Sequence, residues 1–144
     1  MGDVSPIRQI RQAKAAKRVR FEALVHKAIT DLPEEFKSRL ENVDVLVEDW
    51  PAQRQLGRVG ARSRWELLGL YEGVPLTVRG AGYNMVPPDR ITIFRKPIEE
   101  KCHSEVEIAR EIQRVVRHEI AHHFGISDQR LSVIERRAKG QGSD

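Results

Sequence analysis

The stretch VVRHEIAHHFGISDQRL, Val115–Leu131, gathers His118, Glu119, His122, His123 and Asp128 within a few turns of chain. His118 and His122 are four residues apart, which on a helix sets their Cβ atoms about 5–6 Å from one another. Two imidazoles so placed can share one divalent ion at about 2.0–2.1 Å per bond, the distance that suits zinc. A carboxylate beside them, Glu119, can accept a proton from water that the ion has acidified and pass it on. A third protein ligand is needed. Gly125 ends the helix and lets the chain turn, and Asp128 then lies far enough on to approach the same ion. H-E-x-x-H alone recurs by chance in helices; the complete pattern H-E-x-x-H-x-x-G-x-x-D is far more specific.

Plainer roles for the same residues are open at this point. His118 and His122 can be surface-edge histidines, and Asp128 can be only the N-cap of the last helix, with Glu135 then the alternative third ligand. His123 reads as a packed, hydrogen-bonded histidine turned toward the core. Cys102 and His103 could bind metal, but at the rise of a helix they fall over roughly 20 Å from His118.

The element that positions these groups is a helix predicted over 105–124. Ser104 and Glu107 form an S-x-x-E capping box at its start, and Gly125 supplies its stop. On a helical wheel Val106, Ile108, Ala109, Ile112, Val115, Val116, Ile120 and Phe124 share one arc, with Glu107, Arg110, Arg114 and Arg117 opposite. His118 and His122 sit together at the boundary. Glu119 falls inside the apolar arc, where a carboxylate is costly to bury without a partner; a cleft holding a metal and water would account for it.

Upstream, the spacing of Phe21, Leu24, Val25, Ala28, Ile29 and Leu32 predicts a helix, with His26 outside its stripe and solvated. PEEFKSRL reads as a short second helix with Pro33 at its first position. Strands are expected at Val43–Trp50, with partial burial of Leu46 as well as of the Val43, Val45 and Val47 face, at Trp65–Gly73, and at Arg90–Arg95. Gly69 weakens the second of these. Pro51–Arg64 reads as a long loop, Val74–Asp89 as loop with a short extended piece at Pro75–Val78, and Asp128–Arg137 as a last helix. The pattern is α+β: a small sheet with packed helices and the histidine helix near the C-terminus.

Bulk properties bound the rest. A chain of 144 residues, 40% hydrophobic and 32% charged, suits one domain. It has no long apolar run, no apolar segment of signal-peptide type and a single cysteine, Cys102. These features lead to the expectation of a cytoplasmic protein without a membrane segment. The net charge of +4 is unevenly placed. Residues 1–20 hold six basic groups and one acid, whereas 19 of the 25 basic and 20 of the 21 acidic groups lie in the remainder. The expected organisation is a basic extension over 1–20, a domain over 21–137 and a polar tail over 138–144. The extension is a flexible or helical segment that could meet an anionic partner.

LLGLYEGVPLTVRG, PPDRITIFRKPIEE and VVRHEIAHHFGISDQRL together resemble the small bacterial zincin-like proteins described as zinc metallopeptidases, over about Phe21–Arg137. The resemblance implies a compact zincin-like fold, with the active-site helix packed on a mixed sheet. It implies Zn2+ as cofactor, His118, His122 and Asp128 as ligands, and Glu119 as general base. The spacing is also similar to that of metzincins with Asp as third ligand. It departs from them in one respect: the only methionines are Met1 and Met85, so no methionine turn can follow Asp128. The expected activity is zinc-dependent hydrolysis of a peptide or unfolded protein, with the Trp65–Tyr71 strand pairing an extended substrate and Tyr71, Tyr83 or Arg79 assisting the oxyanion. A zinc-dependent endoribonuclease and a non-catalytic metal-stabilised binding module are the alternatives. The oligomeric state is not legible.

Overall fold

In the computed structural model, residues 6–73 and 88–141 are described, without the side chains of 6–8, 10, 11, 128 and 138–141. Their elements are α1 (Pro6–Thr30), α2 (Glu34–Lys37), β1 (Val43–Glu48), α3 (Gln53–Val59), β2 (Gly69–Glu72), β3 (Asp89–Phe94), α4 (Arg95–Lys101), α5 (Glu105–Phe124) and α6 (Asp128–Gln141). A 3-10 turn, Ser38–Leu40, follows α2. The piece expected at Pro75–Val78 lies outside the described residues.

The strands form one mixed sheet in the order β1-β3-β2. β1 runs parallel to β3, and β2 antiparallel to it. The register aligns Val45 with Ile91 and Tyr71, and Val47 with Ile93 and Gly69, so these side chains share a face. The helix α5 packs on β2 and β3 and is itself packed by α1. Phe21, Val25 and Ala28 of α1 meet Ile112, Val115, Val116 and Ile120 of α5 and Ile91 and Ile93 of β3 in one buried cluster. Each such aliphatic side chain removed from water contributes about 1.5–3 kcal/mol, before the entropy of ordering it is counted. The fold is thus α+β, with a small mixed sheet and the histidine helix lying on it.

Several local expectations give way. Pro51–Arg64 is not all loop, because α3 forms within it. Its first turn is held by the Gln55 side chain, which accepts from Ala52 N at 2.8 Å, and Gly60 ends it at φ 68°. Alanine at the N-cap has no side-chain acceptor, so the sequence carries only half of a start signal. Trp65–Gly73 becomes a strand only from Gly69; Trp65 instead packs edge-on against Trp50. Arg95 leaves its predicted strand and begins α4, with Pro97 in the first turn, where a missing N–H costs nothing. Pro33 precedes α2 in extended geometry (ψ 148°). Leu46 is exposed; it sits on β1, an edge among the described strands. The last helix continues past Arg137 to Gln141.

Candidate active site

The helix α5 spans the predicted residues, and its cap is made as expected in part. Ser104 Oγ accepts from Glu107 N at 3.2 Å, while the Glu107 carboxylate reaches one residue further back, to His103 N at 2.7 Å. At the other end Gly125 adopts φ 67°, a left-handed conformation that a side chain disfavours. Ile126 N then donates to the Ala121 carbonyl at 2.8 Å, the closing bond of a Schellman turn. Ile126 packs against the core and fixes this reversal.

The wheel fails at both ends of α5. Val106 is 61% exposed and Phe124 37% exposed, because the apolar arc outruns the width of the sheet beneath it. Phe124 is covered instead by Arg39, whose guanidinium lies 5.1 Å from the ring centroid. Nor does His123 turn into the core. It is exposed and stacks on Tyr71 with centroids 3.8 Å apart, its Nε2 4.0 Å from Asp89 Oδ2. Tyr71 donates its hydroxyl to the same Asp89 oxygen at 2.8 Å, so that proton, cast above as help for an oxyanion, is engaged by a carboxylate. Tyr83 and Arg79 lie outside the described residues.

His118 and His122 are exposed on the same edge of α5, their ring centroids 6.3 Å apart and their planes inclined by 39°. Imidazoles sharing one ion with bonds near 2 Å have centroids roughly 5–6 Å apart. A small side-chain rotation on this open edge closes the difference, so the pair fits a zinc ion. Between them Glu119 points inward. Its Oε2 accepts from Tyr71 N at 3.1 Å. Burial pushes the Glu119 carboxyl above its ordinary pKa, against the opposing pull of the Tyr71 amide and of His118 and His122. The amide offsets part of the cost of a carboxylate in the apolar arc.

That amide is a property of the strand edge. Phe94 N donates to the Leu68 carbonyl. With the antiparallel register, this turns the polar groups of Leu68, Leu70 and Glu72 toward β3 and those of Gly69 and Tyr71 away from it. Among the described strands β2 is therefore an edge, and Glu119 holds one of its outward N–H groups. The close approach of α5 to this edge depends on Gly69. A Cβ there would run into Val115 Cγ1 and come within 3.2 Å of the Thr92 carbonyl. The glycine that weakened the strand in sequence terms is what lets the helix lie against it. A cavity of about 550 Å³ opens beside them, lined by Glu119, His122, His123, Tyr71, Leu70, Leu67 and Val59.

The third ligand is not among the described side chains. No group of three histidine, cysteine or carboxylate residues that could hold a metal occurs among them. Glu135, the alternative, sits 3.2 Å from Arg117 Nε. Asp128 lies outside the described side chains, but its backbone is the first residue of α6. It is not the N-cap: Ser127 Oγ accepts from Arg130 N at 3.1 Å and fills that role. Cys102 is half-buried at the opposite end of α5, its thiol pKa raised by burial, then by Glu111 and Glu107.

No helix among the described residues is long and apolar enough to cross a membrane. No curated protein sequence matches the chain. A family model described as zincin-like metallopeptidase matches residues 40–138. With its helix-borne histidine pair and intervening carboxylate laid on a mixed sheet, the chain belongs to the zincin-like metallopeptidase family.

Proposed function

We propose that the protein is a zinc-dependent peptidase acting on extended peptide or unfolded protein, with His118, His122 and Asp128 holding the metal and Glu119 as the general base. The observation that carries this reading is the position of Glu119, between two exposed imidazoles and held by the Tyr71 amide of β2. A zinc ion held there would supply a Lewis acid for the scissile carbonyl and a bound water with its pKa lowered to about 7. Glu119 takes the proton released from that water at its carboxylate and delivers it to the leaving amine. Its partly desolvated setting favours holding a proton. The adjacent cavity, lined also by Glu119 and His122, has the apolar walls of Leu67, Leu70 and Val59 for a substrate side chain. The family membership weighs for peptide hydrolysis over the ribonuclease alternative.

The test is metal analysis of purified protein beside His122→Ala and Asp128→Ala, with casein-peptide hydrolysis measured on each. The wild type is expected to bind one zinc and both variants to lose it along with activity. Zinc content unchanged in Asp128→Ala removes Asp128 from the ligand set; unchanged content in both variants refutes the site.

A further inference from the structure

His123 has no role in the hydrolysis as laid out, yet it belongs to the same row of α5 as the general base. Val115, Glu119 and His123 follow one another at intervals of four, which sets them one above the next along the helix. All three meet β2. Val115 Cγ1 fills the space that a Cβ on Gly69 would need. Glu119 Oε2 accepts from Tyr71 N at 3.1 Å. The His123 ring stacks on the Tyr71 ring, with centroids 3.8 Å apart and planes inclined by 19°.

One residue of β2 is thus gripped twice by α5, at its main chain by Glu119 and at its ring by His123. Other groups frame the same ring. Its hydroxyl donates to Asp89 Oδ2 at 2.8 Å, and Phe124 meets it edge-on at 6.0 Å. The contribution of His123 is the face of its ring. Its Nε2 is 4.0 Å from Asp89 Oδ2, beyond hydrogen-bond length. Among the described side chains it forms no three-membered metal group with His118 and His122.

We propose that His123 is a positioning residue for the general base: stacked on Tyr71, it keeps the Tyr71 amide on Glu119 and so holds that carboxylate in place between His118 and His122. The stack and the Glu119 hydrogen bond are one helical turn apart and share one strand residue, so loosening the ring loosens the amide. A carboxylate that loses its anchor loses its orientation toward the water it must deprotonate, and small misplacements of a reacting group are costly in rate. The role asks for a flat ring and not for a proton. An aromatic replacement should therefore serve, and an aliphatic one should not. The kinetic part of this inference rests on the proposed hydrolysis; the clamp on the Tyr71 amide does not.

The test compares His123→Ala and His123→Phe with the wild type as purified full chains. Amide hydrogen exchange is followed by NMR, with the Ile93 amide of the buried strand β3 as reference. In His123→Ala the Tyr71 amide should exchange about 2–10-fold faster, the factor to which the worth of one aromatic pair converts, while Ile93 keeps its rate. In the same variant kcat for casein-peptide hydrolysis should fall by about 2–10-fold, with KM and zinc content unchanged. His123→Phe should restore both the exchange rate and kcat. Four outcomes overturn the inference: an unchanged Tyr71 amide in His123→Ala, an equal acceleration at Ile93, a Phe variant as impaired as the Ala variant, or loss of zinc from either. A wild type that cleaves no peptide counts against the proposed function, and the exchange of the Tyr71 amide then decides for or against the clamp.

Discussion

At the scale of single residues the decisive contact is Glu119 Oε2 with Tyr71 N. Glu119→Gln tests it cleanly. An amide oxygen can still accept from Tyr71 N, and the amide nearly matches the carboxylate in volume, so packing and both imidazoles are preserved. What is lost is the capacity to take a proton. Zinc content should equal that of the wild type while peptide hydrolysis drops by about 10²–10⁴-fold, the usual worth of a positioned general base. Hydrolysis persisting in a zinc-loaded Gln variant would remove Glu119 from that role. Much of this was legible in the sequence, because His118, Glu119 and His122 share one helix whose cap and stop are both written locally. The Tyr71 amide was not. It belongs to the main chain of a strand 48 residues away in sequence, and no side-chain pattern announces which N–H groups an edge leaves outward.

At the scale of elements, the approach of α5 to β2 is the feature that brings Glu119 to the edge. Gly69→Ala would drive a methyl group into Val115 and against the Thr92 carbonyl. Overpacking of this kind costs about 1–3 kcal/mol, and here it also separates the helix from the strand that anchors Glu119. The expected result is a lowered urea midpoint together with reduced hydrolysis. Adding Val115→Ala should restore part of both, so that the double variant loses less than the sum of the single changes; strict additivity would show that Gly69 and Val115 do not meet. Element boundaries follow the same division between local and distant causes. The limits of α5 came directly from Ser104 and Gly125. Those of α3 did not, because its first turn is secured by Gln55 and its outer face by Glu72 of β2, which receives Arg54 at 2.8 Å and Arg58 at 3.0 Å. His123 was misplaced for a related reason. A wheel assigns a direction but cannot show that Tyr71, from the neighbouring strand, offers the face of its ring to that side of the helix.

At the scale of the whole molecule, a few carboxylates tie elements that are far apart in sequence. Asp49, just after β1, receives Arg95 of α4 at 3.0 Å and Arg18 of α1 at 3.4 Å. Glu111 joins Lys101 at the end of α4 to Arg114 of α5. The Arg95 hydrogen bond holds the Asp49 carboxyl below its usual pKa, opposed by burial and aided by the charges of Arg95, Arg18 and Lys96. The Arg114 hydrogen bond does the same for Glu111. At Glu72 burial pulls upward, but Arg54 and Gln55 outweigh it, and the net shift is again downward. A carboxyl depressed in the folded state contributes stability that is present above its unfolded pKa and lost as pH falls through its folded value. Resistance to urea should therefore decline as pH drops through about 4 and below, the unfolded carboxylate range. Asp49→Asn isolates one part of this. Asp49 is 43% exposed, and Arg95 keeps Glu99, so the loss near neutral pH should be about 1–2 kcal/mol, short of the cost of breaking a fully buried pair. The gap between wild type and variant should then narrow as acid protonates Asp49 in the wild type. Urea titrations of both proteins from about pH 7 to 3 measure it. A gap that stays constant across that range, or no gap near neutrality, would mean that the Asp49 contacts with α1 and α4 do not contribute to holding these elements together.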